Sequence, residues 1–261
     1  MVNLISMSKT SKDNPEQNWF GERAVDANEK TELVGGVFHS VAQKYDLMND
    51  AMSFGTHRLW KDRFVSMIRP RMNWEYLDVA GGTGDIAFRI RKKTSPKTSI
   101  TVSDINESML SVGRDRAIDL GYTQNMDFIV GNAEHLPFAD NSKDIYTIAF
   151  GLRNVTRIDD ALKDAYRLLK PGGQFWCLEF SHVENPLMSK LYDTYSYHLI
   201  PKMGQMIAGD ADSYQYLVES IRKHPTQKQL AARMEEAGFT DVKYTNMNFG
   251  VVAIHRGTKP E

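Results

Sequence analysis

The stretch Leu77-Asp78-Val79-Ala80-Gly81-Gly82-Thr83-Gly84-Asp85 limits the possible folds of this chain more than any other. The apolar run Tyr76–Ala80 passes directly into glycines and then into a helical pattern from Ile86 to Arg91. Glycines at such a junction permit a tight strand-to-helix turn and let a ligand approach the backbone closely. The alternation continues downstream. Ser99–Ser103, Met126–Val130, Ile145–Phe150 and Gln174–Phe180 read as strands, and Asn106–Leu120 and Asp159–Leu169 as helices. Pro171-Gly172-Gly173 is expected to break the second helix, whose acidic start and Lys170 end match the helix dipole. Asp241–Asn246 and Val251–Arg256 read as two final strands joined by a turn at Asn248-Phe249-Gly250.

This pattern predicts an α/β fold: a doubly wound, mostly parallel, seven-stranded sheet with an antiparallel C-terminal edge. Such sheets bind ligands outside the carboxyl ends of their strands, at the switch point. The chemistry is therefore expected just after the first four strands.

The flanks read as helical. Leu33, Val37, Val41 and Tyr45 recur at four-residue spacing, and Leu59, Trp60, Phe64 and Met67 form a second apolar group ending at Pro70. Asn185–Gly209 is helical in pattern and rich in Tyr and Met, and helices follow near Ser213–Arg222 and Gln227–Ala237. We expect a disordered polar lead over residues 1–17 and one domain over 18–261. That domain carries a helical cap at about 29–69 and a helical insert at about 185–222.

Composition narrows the function. With 261 residues, of which 41% are hydrophobic, the chain can bury one large core. Lys plus Arg number 32 against 33 for Asp plus Glu, a balance that argues against a phosphate-driven nucleic-acid binder. The single cysteine, Cys177, excludes an internal disulfide, and its place in mid-strand suits a small apolar residue. No His/Cys/Asp cluster has metal-ligand spacing, so no metal is expected. No apolar run is long enough to span a membrane. The expected location is the cytoplasm, with contact at the inner face of the membrane still open.

The glycine loop admits two cofactors. Gly82-x-Gly84-x-x-Ala87 fits the dinucleotide fingerprint, and Asp104 lies where a ribose-binding acid belongs. Three features favour S-adenosyl-L-methionine instead. Asp78 sits inside the first strand, where it can reach an amino group but would repel a pyrophosphate. A long segment precedes that strand, whereas dinucleotide units often open their domain with it. Gly131-Asn132-Ala133-Glu134 follows the third strand, where small and polar groups can frame an adenine ring. A plain turn, with Asp104 capping the helix from Asn106, is the bland alternative.

Several longer motifs go further. Val37-Phe38-His39-Ser40-Val41-Ala42, Lys44-Tyr45-Asp46-Leu47-Met48-Asn49-Asp50 and His57-Arg58-Leu59-Trp60-Lys61 precede the loop. Asp104-Ile105-Asn106-Glu107-Ser108-Met109-Leu110, Phe150-Gly151-Leu152-Arg153-Asn154-Val155-Thr156 and Asp210-Ala211-Asp212-Ser213-Tyr214 follow it. On these stretches the chain resembles the UbiE family of ubiquinone/menaquinone biosynthesis C-methyltransferases, over about Phe20 to Gly257. The resemblance implies a class I SAM-dependent methyltransferase fold, S-adenosyl-L-methionine as cofactor, and a polyprenylated quinol as substrate. It carries SAM contacts to Thr83, Asp104, Asn132 and Ala133, and the cofactor set expected here adds Asp78, Gly82, Gly84 and Ile105. Family members often have serine before Phe-Gly-Leu-Arg-Asn, whereas Ala149 stands here, which leaves a backbone contact only.

Arg153 is the expected stabiliser of a developing phenolate, Asn154 the holder of a second ring oxygen, and Tyr45 a lid over the methyl site. A surface pair of Arg153 with Asp159 or Asp160 is the competing reading. Tyr195, His198 and Asp210 are candidate bases for the ring proton. Met188, Leu191, Tyr192, Tyr195 and Leu199 share one helical face, which suits core packing, a wall for an isoprenoid tail, or rest on lipid. Other quinone-biosynthesis proteins and a second copy of the chain are further expected partners. Another phenolic or lipid substrate, a non-catalytic scaffold subunit and a nicotinamide oxidoreductase remain as alternatives.

Overall fold

The computed structural model describes residues 18–20, 23–26, 29–30, 33, 36, 53, 55–183 and 211–261. Its centre is a seven-stranded sheet built from β3 (Tyr76–Val79), β4 (Ile100–Asp104), β5 (Met126–Val130), β6 (Lys143–Ala149), β7 (Leu169–Phe180), β8 (Thr240–Met247) and β9 (Val252–Thr258). Their spatial order is β5-β4-β3-β6-β7-β9-β8. The first five strands run parallel, and β9 pairs antiparallel with both β7 and β8. Order reverses between β3 and β6, which pair Asp78 with Thr147. A two-strand antiparallel ladder of β1 (Asn18–Phe20) and β2 (Arg23–Val25) stands apart from it. The sequence pattern gave no sign of these two strands, because three-residue runs carry too little periodicity.

Helices cover both faces. α1 (Thr56–Ile68), α2 (Asp85–Arg91) and α3 (Glu107–Asp119) bring Trp60, Phe64, Ile86, Ile90 and Leu110 against Tyr76, Ile100 and Val102 of the sheet. On the opposite face α4 (Ile158–Leu168) and α6 (Gln227–Glu236) pack Leu162, Leu168, Leu230 and Met234 on Leu77, Val79 and Ile148. Strand alternation explains the split, since neighbouring residues of β3 point to opposite faces. α5 (Ala211–Lys223) precedes α6, whose start is fixed by a capping box between Thr226 and Gln229.

Three expectations need correction. β7 begins at Leu169, not Gln174, and runs through Pro171-Gly172-Gly173. The irregularity in its pairing with β6 falls at that point, and Gly172 and Gly173 exchange backbone bonds with Lys259. The side chain capping α3 is Asn106, which accepts from the Met109 amide at 3.2 Å, while Asp104 accepts the backbone amide of Asn106 itself. Within α1, Leu59 is 67% exposed, while His57 and Lys61 join the buried stripe. Of the expected cap, helical positions are described at 29–30, 33, 36, 53 and throughout α1. Tyr45, and most of the insert including Met188, Leu191, Tyr192, Tyr195, His198, Leu199 and Asp210, lie outside the described residues.

Candidate active site

A cleft of about 1120 Å³, mouth included, opens at the carboxyl ends of β3, β4, β5 and β6. Asp78, Gly82, Thr83, Asp104, Ile105, Asn132, Ala133, Ala149 and Asn154 all line it. Two strand exits shape its floor. Ala80 after β3 and Phe150 after β6 both take positive φ, 48° and 56°, which non-glycine residues adopt only where surrounding packing enforces it. A Cβ on Gly151 would stand 2.4 Å from that of Ala80, so only glycine lets the two exits meet. Gly84, with φ of 81°, turns the chain into α2.

Asp78 is 1% exposed. Its Oδ1 accepts from the Thr147 hydroxyl at 2.7 Å, and among the described residues Oδ2 has no hydrogen-bond partner. Burial pushes its carboxyl up to about 7, against the opposing pull of the Thr147 bond and of the Ala87 amide. Asp104 accepts the Gly82 amide through Oδ2 and the Asn106 amide through Oδ1, both at 2.9 Å. Burial raises it to about 6 despite these bonds. Arg116 donates to the Thr83 hydroxyl at 2.7 Å, which turns the hydroxyl proton outward as a donor. The Asn132 side chain accepts from the Glu134 amide at 3.0 Å, fixing the loop that presents Ala133.

The loop amides are largely spent on the protein itself. Gly81 donates to the Ser103 carbonyl, Gly82 to Asp104 and Gly84 to the Gly81 carbonyl. A pyrophosphate would therefore find few amide donors and would face Asp78 and Asp104, whereas the charge of Asp85 is met by Lys61 and Arg89. A ligand bearing an ammonium and ribose hydroxyls, but no phosphate, matches these walls. The residues present fit S-adenosyl-L-methionine, and the unpartnered buried oxygen of Asp78 is the observation that tests the fit.

Arg153 does not line the cleft. It is buried in the one-turn 3₁₀ segment Leu152–Asn154, and its Nη1 donates to Glu179 Oε1 at 2.7 Å and to the Phe150 carbonyl at 2.5 Å. Glu179 also accepts the Arg153 and Phe180 amides. The competing surface pair is not formed: Asp159 bonds Arg233 at 3.4 Å and Asp160 bonds Arg157 at 3.0 Å. Asn154 reaches the cleft, and its Oδ1 accepts from Tyr216 of α5 at 3.0 Å. Sequence reasoning missed Lys61, Met109, Arg116, Thr147, Glu179 and Tyr216, each of which meets the site through tertiary contact. Lys61 alone had a local signal, its place in the apolar stripe of α1.

Sheet order, antiparallel edge and switch-point cleft together define a class I SAM-dependent methyltransferase. A SAM-dependent methyltransferase of Thermotoga maritima, a possible histamine N-methyltransferase, shares the fold with a TM-score of 0.61 at 20% identity, over 86% of this chain and 99% of that one. Phosphoethanolamine N-methyltransferase 2 of Haemonchus contortus, solved with S-adenosyl-L-methionine, gives a TM-score of 0.58 at 15% identity, over 79% and 53% of the two chains. The model of the ubiE/COQ5 methyltransferase family matches residues 25–259. The ubiquinone/menaquinone biosynthesis C-methyltransferase UbiE of Brucella abortus is 58% identical, covering 92% of this chain and 90% of the relative. Its counterpart in Brucella anthropi is 57% identical, covering 92% of each. The chain belongs to the ubiE/COQ5 methyltransferase family and uses S-adenosyl-L-methionine.

Proposed function

We propose that the chain methylates a ring carbon of a polyprenylated benzoquinol of the 2-methoxy-6-polyprenyl-1,4-benzoquinol type, of demethylmenaquinol, or of both. The names of its relatives point to this substrate class. The observation that carries the reading is the meeting of the β3 and β6 exits, which sets a carboxylate-lined cofactor cleft beside Asn154.

The bound cofactor supplies an electrophilic methyl group. Asp78 holds its ammonium and Asp104 its ribose hydroxyls. Thr83 donates its proton, Ile105 and Ala133 cover the adenine, Asn132 meets the polar edge of that ring, Gly82 and Gly84 allow close approach, and Ala149 contributes backbone. The substrate ring gains a carbon–carbon bond as the methyl group's bond to sulfur breaks, a neutral thioether is left, and the proton of that ring carbon is lost, so no oxidant or reductant is needed. Holding the reacting atoms in line near 3–3.5 Å accounts for roughly 7–11 kcal/mol of the barrier. A phenol-like hydroxyl with pKa near 10 is ionised to about one part in a thousand at pH 7, so favouring the phenolate is the remaining task.

Asn154, steadied by Tyr216, holds a ring oxygen. Arg153 lies one residue behind it, and its planar fork, gripping Glu179 and the Phe150 carbonyl, sets Asn154 against that oxygen. Tyr45 closes over the methyl site, and Tyr195, His198 or Asp210 receives the ring proton. Arg153→Lys keeps the charge but loses the planar fork that grips Glu179 and the Phe150 carbonyl. We expect kcat to fall at least tenfold with S-adenosylhomocysteine affinity unchanged, and a parallel fall in both would refute the role.

The direct test is incubation with a short-chain demethylated benzoquinol or naphthoquinol, with mass spectrometry of the product. A carbon-methylated ring is expected. Turnover confined to an unrelated phenol or sterol would overturn the substrate. Failure to bind S-adenosylhomocysteine in calorimetry would favour a scaffold role. Among the described residues no helix is long and apolar enough to cross a membrane. A long-tailed quinol resides in the bilayer, so contact at the inner membrane face, through the 188–199 stripe, is part of this proposal, as are a homodimer and contacts with other quinone-biosynthesis proteins. Absence of co-migration with vesicles at low salt would remove the membrane contact.

A further inference from the structure

α1 buries His57, Trp60, Lys61, Phe64, Val65 and Ile68 along one stripe. A lysine in that stripe, 5% exposed, is out of character, because Lys is almost never fully buried without a partner. Its partner is Asp85 at the start of α2, whose Oδ2 lies 2.8 Å from Nζ. Asp85 does not depend on Lys61 alone. Arg89 meets Oδ1 of the same carboxylate at 2.5 Å. Burial pushes the Asp85 carboxyl up, yet Lys61 and Arg89 together hold it below its ordinary range.

Lys61 is also a wall of the cofactor cleft, together with Asp78 and the glycine loop. An ammonium carries three N–H donors, and Asp85 occupies one of them. Strand alternation sets the facing. Asp78 lies two residues from Tyr76 on β3 and so shares the sheet face that α1 and α2 cover. One side of the cleft thus holds a buried carboxylate oxygen without a partner among the described residues and a buried ammonium with further donors.

We infer that Lys61 binds the α-carboxylate of the methionine end of the cofactor while Asp78 binds its α-ammonium. The inference rests on the cleft holding S-adenosyl-L-methionine. A zwitterion is the ligand chemistry that answers both groups at once. It brings one positive and one negative charge into a dry site, so the filled cleft is neutral there. Two anchors on one α-carbon also fix the direction in which the sulfonium points, which a single ammonium contact does not. Lys61 is therefore a positioning residue for methyl transfer.

The test is calorimetry of the whole protein with S-adenosylhomocysteine, its decarboxylated analogue and 5′-methylthioadenosine. The unaltered protein is expected to bind S-adenosylhomocysteine roughly 10- to 100-fold tighter than the decarboxylated analogue, the range for a charge-assisted bond. In Lys61→Met that preference should vanish while 5′-methylthioadenosine binds as before, and Lys61→Arg should retain it. Lys61→Met/Asp85→Asn, which leaves no stranded carboxylate, should lose the preference equally. No preference in the unaltered protein, or a preference that survives either methionine variant, overturns the inference. Failure of the unaltered protein to bind 5′-methylthioadenosine would instead count against the cleft itself.

Discussion

Asp78 holds its charge where charge is least welcome. Each oxygen of a carboxylate can accept hydrogen bonds, and here the Thr147 hydroxyl, aided by the nearby Ala87 amide, is set against full burial. The neighbouring carboxylates Asp85 and Asp104 push in the same direction as burial, and the result is a group that titrates near pH 7. An incoming ammonium favours the ionised form and draws that value back down. Binding of S-adenosylhomocysteine at pH 6 must therefore release close to one proton, and at pH 8 almost none. Calorimetry in two buffers of different ionisation enthalpy reads this number. Affinity should weaken as pH falls from 7 to 5.5, by up to roughly tenfold per unit. In Asp78→Asn most of the slope should disappear, with the residue below pH 6 belonging to Asp104. A slope unchanged by the substitution would assign the proton elsewhere. The sequence revealed Asp78 because it precedes glycines in an apolar run, and Asp104, Asn132, Ala133 and Asn154 because each follows a strand. Arg116 and Thr147 offered no such marker. Arg116 reaches Thr83 from 33 positions away, and Thr147 reaches Asp78 from 69, through pairings that only the folded sheet creates.

At the scale of elements, the two ends of the parallel strands do different work. The carboxyl ends meet through the contact of Gly151 with Ala80, and both exits line the cleft. At the opposite end Arg91 closes α2. Its guanidinium donates to the carbonyls of Ser95, Thr98, Gln124 and Asn125, and so ties the loops before β4 and β5 together. Substitutions at the two places should separate stability from binding. Gly151→Ala forces the exits apart, and we expect about 1–3 kcal/mol lost in urea unfolding together with weaker S-adenosylhomocysteine binding. Arg91→Met removes a buried guanidinium's bonds to four carbonyls remote from the cleft, and about 2 kcal/mol or more should be lost with affinity unchanged once the protein is folded. Equal effects on affinity would mean that the sheet transmits strain along its length. The strands and helices themselves were legible, since the β and α elements from β3 onward, the start of β7 excepted, fall within a few residues of their periodic patterns. The Leu169 start of β7 was hidden because Pro171-Gly172-Gly173 normally signals a stop, and here Lys259, just after β9, supplies the pairing that keeps it extended.

For the whole molecule, the site carboxylates and the buried histidines pull stability in opposite directions with pH. Asp78 and Asp104 have folded values of about 7 and about 6, above their ordinary 3.8. A raised acid contributes stability that is fully present below its unfolded value and is lost as pH rises through the folded one. Both therefore weaken the ligand-free protein between pH 4 and pH 7. His224 and His255 are lowered by burial, His255 to about 4 from 6.5. Their contribution is present above 6.5 and is lost as pH falls, so the summed profile of the protein conceals either trend. A difference between two proteins isolates the carboxylate. Asparagine at position 78 can still accept the Thr147 hydroxyl bond and carries no charge. Ligand-free Asp78→Asn should thus exceed the unaltered protein in urea unfolding by a margin that grows from pH 5 to pH 7 and then levels off. Saturating S-adenosylhomocysteine at about 100 times its Kd adds about 2.7 kcal/mol to the unaltered protein. Its gain at pH 8 should exceed that of the variant at the same ligand concentration, because the variant has lost the charge that the ammonium meets. A variant less stable than the unaltered protein at pH 8 without ligand would show that the ionised carboxylate supports the fold. Greater stability would show that the fold tolerates this buried charge for the sake of the cofactor.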